Sequence, residues 1–346
     1  MNDRIPETPP VILPVPEGSA RPLWSVMIPV YNCFPYIKEA IESVLIQDRG
    51  IDNMQIEVID DFSTDGDVEA LVHEVGKGRV GYYRQERNRG SLRNFETCIN
   101  RAKGKYVHIL HGDDRVAPCY YQTIEDLFIS NPEAGAAFTN FTYIDHLGKQ
   151  VDIVNRKIQE DAGIIKDFLY KIAHRQLVQP PAITVKRSVY EKLGSFYAVH
   201  FGEDWEMWTR IASKYPVAYS PQYMASYRVA HGIGISHNSF LTGQNIIDMT
   251  RVINIIQEHL PQKQKALYKR IALDYYALFC IRIANGLLLF NKKAAFTQIR
   301  GAWQMSRSLG NVFWIIRFYL MHILRYKQIE KKIKNSAFKL YEKNVL

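Results

Sequence analysis

The sequence predicts an α/β protein: a mostly parallel, Rossmann-like sheet with helices on both faces, followed by an α-helical C-terminal region. Three observations predict it. From Trp24 onward, short and nearly continuous apolar runs alternate with helical stretches, the pattern of strands buried on both faces and joined by crossover helices. At 346 residues the chain is long enough for one large α/β domain or two ordinary ones. Beyond about residue 240 the strand-like runs stop and the chain reads as wholly helical.

Taken in order, residues 1–22 are a Pro-rich lead-in, expected as an extended linker outside any core. They hold no basic segment ahead of an apolar one, so they do not read as a signal peptide. WSVMIPV (24–30), IEVID (56–60), RVGYYR (79–84), KYVHIL (105–110) and AGAAFTN (134–140) read as strands. PYIKEAIESVLIQ (35–47), GDVEALVHEV (66–75), SLRNFETCINRA (91–102) and PCYYQTIEDLFIS (118–130) read as the helices between them. Residues 151–239 are mixed, and no internal repeat is evident. In such sheets ligands bind where the loops leave the carboxyl ends of the strands. That directs attention to Asn32, Asp60 to Asp65, Asn88 to Asn94 and His111 to Arg115.

Composition excludes several classes. Hydrophobic residues at 47% and charged residues at 23% are a globular balance and exclude wholesale disorder. Four cysteines lie far apart with no C-x-x-C pair, which argues against a disulfide scaffold or zinc ribbon and suits a reducing cytoplasm. The first strand is followed by PVYNCFPY, without the glycines of a dinucleotide fingerprint, and no G-x-x-x-x-G-K-[ST] exists.

Two Asp-Asp pairs carry the chemistry. Asp60 and Asp61 end one strand in IEVIDDFSTDG, and Asp113 and Asp114 end another in KYVHILHGDDR. Adjacent carboxylates repel unless a ligand or donor engages them, and hard oxygen ligands suit Mg²⁺ or Mn²⁺ beside phosphate. Each pair alone is also explained by turn or N-cap chemistry; two pairs on one sheet edge weaken that explanation. Glu203 and Asp204 in GEDWEMWTRIA precede a helix, either complementing its dipole or presenting a general base. NRGSLRN supplies Asn88, Gly90, Arg93 and Asn94 around a helix start, a plausible clamp for an anion or a base. YRVAH supplies Arg228 and His231.

In this order, IPVYN, IDDFSTD, NRGSLRN, HGDD, GEDWEMWTR and YRVAH resemble the family 2 glycosyltransferases over about residues 24–236. The resemblance implies the GT-A fold and a nucleotide-diphosphate-sugar donor. Between the Pro-rich linker (1–22) and a helical basic region (240–346), both read from composition, it implies a catalytic domain (23–239) with a nucleotide-sugar half (23–115) and an acceptor half (116–239). Pro29, Tyr31 and Asn32 would line the nucleotide pocket. Asp61 would accept a hydrogen bond from the base, typically uracil, with Arg93 near the base or diphosphate. Asp114 would bind a divalent cation (Mn²⁺ or Mg²⁺) and Asp113 the ribose or the cation. Asp204 would be the catalytic base with Glu203 beside it, and His231 would reach the diphosphate or metal. The chain departs in one place: His111 stands where many members carry another Asp. It also lacks the Q-x-x-R-W motif of processive members.

The resemblance implies inverting, metal-assisted, non-processive transfer to a saccharide or lipid-linked acceptor, in cell-surface polysaccharide or glycoconjugate synthesis. The alternative is a non-catalytic nucleotide-sugar-binding scaffold, against which the retained Asp61, Asp114 and Asp204 argue. Charge adds one expectation. Residues 291–346 hold 12 Lys/Arg against two acids, while the first 290 residues are nearly neutral. VFWIIRFYLMHIL (312–324) is shorter than the ~20 apolar residues a bilayer span needs. With the basic stretch after it, it suits either a helix in an anionic membrane interface or one packed on the catalytic domain or on a second copy. A cytoplasmic protein, peripheral on the inner face of the membrane, is expected; nucleic acid is not an expected partner.

Overall fold

The computed structural model describes residues 4–151, 157–229 and 234–324. The chain divides into two compact units, residues 1–168 with 177–229 and residues 169–176 with 230–346.

The first unit is built on a sheet. Strands β1 (Trp24–Val30), β2 (Met54–Asp60), β3 (Gly81–Arg84) and β4 (Tyr106–Ile109) alternate with helices α1 (Phe34–Leu45), α2 (Val68–Gly76) and α3 (Ser91–Arg101). There follow β5 (Arg115–Val116), α4 (Tyr120–Ser130), β6 (Ala136–Ile144), β7 (Gly163–Ile164), β8 (Ile183–Lys186), α6 (Arg187–Leu193), α7 (Glu203–Ala212) and β9 (Val217–Arg228), while α5 (Phe168–Ile172), between β7 and β8 in the chain, falls from residue 169 on in the second unit. Among the described residues these make a nine-stranded sheet, ordered β3-β2-β1-β4-β8-β6-β9-β5, with β7 on β9. β3, β2, β1 and β4 pair in parallel. β8 runs against β4 and β6, and β6 pairs with β9 in parallel.

The burial explains the apolar runs. All seven residues of β1 are buried, with Val26, Ile28, Val58 and Val72 in one continuous core. β1 is flanked by β2 on one side and β4 on the other, so the chain order reverses about it. The crevice at such a switch point opens outside the strands' carboxyl ends. That places residues 31–32, 60–65 and 110–114 around one crevice.

Residues 4–22 correct the expectation of a free linker. They hold no helix or strand, yet Ile12 is only 2% exposed. The Ser195 and Ala198 N–H groups donate to the carbonyls of Pro10 (2.8 Å) and Pro6 (2.9 Å), and the Arg187 guanidinium donates to the Leu13 carbonyl (2.9 Å). Extended proline-rich backbone leaves its carbonyls unpaired, and this unit's loop supplies donors for them.

The second unit is helical: α8 (Ile235–Thr242), α9 (Gln244–Gln257), α10 (Gln262–Leu287), α11 (Lys292–Met305) and α12 (Leu309–Ile323). Small residues let its helices approach. Ala277, Ala284, Ala295 and Ala302 are fully buried, and a Cβ on Gly301 would stand 2.4 Å from Ile246. Asn245 and Gln298 exchange hydrogen bonds in this core (3.1 and 2.7 Å). The unit begins near residue 230 instead of 240. It also recruits residues 169–176, where Tyr170 packs near Tyr268 and the Gln176 N–H donates to the Tyr276 hydroxyl. No described helix is long and apolar enough to cross a membrane. The basic stretch 325–346 lies outside the described residues.

Ile12→Ala removes a buried aliphatic side chain from the N-terminal segment. We expect a loss of about 2–4 kcal/mol in urea unfolding. A loss below about 0.5 kcal/mol would return the segment to linker status.

Candidate active site

The two loops after β1 and β2 are tied together by their own polar residues. Asn32 adopts φ 49°; its N–H donates to Ser63 Oγ (3.1 Å) and its Oδ1 accepts the Thr64 N–H (2.9 Å). Asp65 accepts the Phe34 N–H (2.8 Å) at the start of α1. Pro29 accepts the Gly112 N–H (3.1 Å) through its carbonyl, and Tyr31 is 51% exposed at the rim.

Asp60 and Asp61 solve their repulsion by turning to different donors. Asp60 is fully buried and takes the Ser63 N–H, the Tyr82 hydroxyl and the Arg84 guanidinium, a structural role. Asp61, 1% exposed, takes the N–H groups of Arg89 (2.7 Å) and Gly90 (2.8 Å) and the Asn88 amide (3.0 Å). Burial raises the Asp61 carboxyl above its ordinary range, opposed by those two backbone N–H groups and by Arg4. Arg4, from the N-terminal segment, also donates to Asn88 Oδ1. The sequence offers no signal for Arg4, because nothing periodic ties residue 4 to residue 88. On α3, Arg93 pairs with Glu96 (2.7 Å), and the buried Asn94 donates to the Ile59 carbonyl (2.9 Å).

After β4 the chain turns sharply, the Asp114 N–H returning to the His111 carbonyl (3.0 Å). A Cβ on Gly112 would lie 2.8 Å from Val30 and 2.9 Å from Cys33, so the turn admits only glycine there. The turn brings ligand atoms of His111, Asp113 and Asp114 within 4.8 Å of one another. Asp114 is 1% exposed; its Oδ1 accepts the Arg228 N–H (2.8 Å), and its Oδ2 has no hydrogen-bond partner. Burial and then the charge of Asp113 push the Asp114 carboxyl well up, against the Arg228 N–H and guanidinium. A buried carboxylate oxygen without a donor is costly, and a cation beside it removes that cost. The donor set therefore fits a divalent ion.

Arg228 fixes this turn from β9. Its guanidinium donates to the carbonyls of Asp113 and Asp145 (2.7 Å each), pairs with Glu39 and lies over the Tyr36 ring (4.5 Å). His231 lies outside the described residues.

Glu203 and Asp204 open α7 behind Gly202, at φ 94°. Asp204 Oδ1 accepts the N–H of Trp205 (2.7 Å), and both acids sit at the positive end of the helix dipole. Trp205, Trp208 and Ile211 are buried and anchor α7. Glu203 and Asp204 line a small cavity of about 10 Å³ together with His111, Ile109, Phe95 and Trp208, room for about one water. Tyr227, which the sequence reading passed over, belongs here too. Its phenol is pushed well up by burial and then by the charges of Asp114, Asp204 and Asp113. The acids of two distant segments thus share one electrostatic environment.

Residues 25–193 match the model of glycosyl transferase family 2. These residues form a family 2 glycosyltransferase domain. An uncharacterized protein of Mycobacterium tuberculosis is 26% identical over 69% of this chain and 77% of its own length. An uncharacterized glycosyltransferase of Rickettsia felis is 29% identical over 60% of this chain, which spans only 33% of that relative. Among solved structures, residues 1–349 of S. aureus TarS, also solved with UDP-GlcNAc and with UDP, align with a TM-score of 0.59 at 15% identity, over 93% of this chain and 90% of that one. The mannosyltransferase PcManGT of Pyrobaculum calidifontis, solved with GDP-Man and Mn²⁺, aligns at 0.55 and 17% identity over 96% and 89%. The domain has the GT-A architecture.

Asp61→Ala would leave the buried Gly90 N–H and its neighbours without their acceptor. The expected result is a stability loss of about 2–4 kcal/mol by urea denaturation. A change within about 0.5 kcal/mol would make Asp61 an ordinary turn residue.

Proposed function

We propose that this chain is an inverting, metal-assisted, non-processive glycosyltransferase that moves a sugar from a UDP-sugar to an acceptor hydroxyl. The observation that carries the reading is the meeting of His111, from the turn that holds Asp113 and Asp114, with Glu203 and Asp204 on one cavity. A cation ligand set and a candidate base from a distant helix converge at the carboxyl edge of the sheet. TarS with UDP-GlcNAc and PcManGT with GDP-Man and Mn²⁺ share the fold and support a nucleotide-sugar donor.

In this reading Pro29, Tyr31 and Asn32 line the nucleotide pocket, Asp61 faces the base, and Arg93 stands near the base or diphosphate. Asp61 has a second task, holding the 88–90 loop through its N–H groups, so it sets pocket shape as well as reading the base. Asp113 and Asp114 hold Mn²⁺ or Mg²⁺, which when bound neutralises negative charge on the leaving diphosphate as a Lewis acid. Asp204 takes the proton from the acceptor hydroxyl as that oxygen attacks the anomeric carbon from the face opposite the leaving group, which inverts its configuration. Glu203 stands beside it in the first turn of α7, and His231 is assigned to the diphosphate or the metal.

The acceptor is a saccharide or a lipid-linked glycan, in cell-surface polysaccharide or glycoconjugate synthesis at the cytoplasmic face. The second unit supports a membrane-peripheral placement. Leu309, Phe313, Ile316, Leu320 and Ile323 are exposed on α12 at helical spacing, an apolar stripe beside the basic sequence that follows. Such a stripe enters an anionic interface, with each nearby Lys or Arg adding about 1 kcal/mol.

Asp204→Asn should retain UDP affinity by calorimetry while turnover of a UDP-sugar falls at least about 10²-fold. Full turnover in this variant refutes the base assignment, and no turnover by the unaltered protein across a UDP-sugar panel favours the scaffold reading. For the second unit, the full chain should co-sediment with vesicles containing phosphatidylglycerol at low salt and release at high salt, with Leu320→Glu binding less. Equal sedimentation of both proteins would instead assign the stripe to protein packing, with a dimer in sedimentation velocity as its signature.

A further inference from the structure

We infer that His111 is a nitrogen ligand of the divalent cation, through Nδ1, so that this site prefers Mn²⁺ over Mg²⁺. The inference rests on the cation site proposed above and concerns the one position where this chain departs from the motif it otherwise keeps.

Two independent features place the imidazole there. The first is geometry. His111 Nδ1 lies 3.9 Å from Asp114 Oδ2, and two metal–ligand bonds of about 2.1 Å span up to about 4.2 Å. The Asp113 carboxylate completes a set within 4.8 Å. The ring is held for this: it stacks on Phe95 with centroids 5.3 Å apart and planes 5° from parallel. The turn is fixed by the Gly112 N–H on Pro29 and by Arg228 on Asp113. The second feature is the unpartnered Oδ2 of Asp114 on a side chain 1% exposed. Of that carboxylate's two oxygens, the one near His111 lacks a donor, while the other is bonded to the Arg228 N–H. A buried oxygen left open toward a ring nitrogen is the arrangement a shared cation satisfies.

The chemistry then sets selectivity. Mg²⁺ favours all-oxygen ligands, whereas imidazole suits ions further along the transition series, and Mn²⁺ accepts a mixed nitrogen and oxygen set. Replacing the imidazole with a carboxylate should therefore move the site toward Mg²⁺.

The test uses the full chain with UDP present and Mn²⁺ as the probe. The chain has 10 histidines; all are labelled with ¹⁵N, and pulsed EPR reads coupling of the bound Mn²⁺ to nitrogen. Both proteins compared carry His231→Ala, since His231 is the other imidazole assigned near this ion. The expected result is a ¹⁵N coupling that disappears on adding His111→Asp, while calorimetry shows the ratio of Mn²⁺ to Mg²⁺ affinity falling at least about tenfold in that variant. Bound Mn²⁺ without ¹⁵N coupling before His111→Asp is added, or coupling that persists after it, overturns the His111 assignment and leaves the proposed function standing. Absence of any Mn²⁺ binding to the unaltered protein overturns both.

Discussion

Asp114 is buried at the end of a parallel strand with one oxygen on the Arg228 amide and the other without a donor, and much of the first unit is arranged around keeping it there. A carboxylate in that position is tolerated only if something positive stands near it. The permanent part is Arg228, whose own guanidinium is spread over three acceptors on separate segments, the carbonyls of Asp113 and Asp145 and the Glu39 carboxylate. One side chain from β9 thus joins α1, the turn after β4 and the end of β6. The remaining oxygen has no hydrogen-bond donor, which is what the proposed cation would answer. This is local destabilisation held in place by the sheet, the usual condition of a site that binds a charged partner.

The same logic separates the two aspartates after β2. Asp60 and Asp61 are adjacent and both buried, but one is absorbed by Tyr82, Arg84 and the Ser63 amide, the other by the amides of Arg89 and Gly90. A pair that looks equivalent in sequence is divided between two tasks, one acid holding β3 and the turn after β2, the other the loop before α3. Asp61 accepts the backbone N–H groups of Arg89 and Gly90 and so ties the 88–90 loop, just ahead of α3, to the end of β2.

What was legible in the sequence follows from which signals are local. β1, β2 and β4 announce themselves as apolar runs ending in turn residues, and the switch-point rule then places Asn32, Asp61 and Asp114 on one edge before any coordinates are known. α7 is legible from its tryptophans, since Trp205, Trp208 and Ile211 all fall inside. The misses are long-range. VAYSPQYMASYR is polar enough to hide the strand β9, and with it the placement of Tyr227 among three acids. The Pro-rich start has no period, so nothing in it shows that Ile12 is buried or that Arg4 reaches Asn88, 84 residues away. The boundary between the units is equally hard to read, because ISHNSF carries no apolar period that announces α8.

His111 shows why a departure from a motif has to be judged in three dimensions. In sequence it is an imidazole where many members carry an acid, and the sequence alone gives it no role. In the structure its ring is pinned on Phe95, faces the open oxygen of Asp114 and lines the cavity that also holds Asp204. A side chain that had merely drifted would have no need of so fixed an orientation, stacked on Phe95 with one ring nitrogen toward Asp114 Oδ2. Burial lowers its basicity, with the Asp113 charge opposing. The stacking on Phe95 and the placing of Nδ1 toward Asp114 Oδ2 therefore both favour a nitrogen donor in place of an oxygen one. The substitution alters what the site selects without dismantling it.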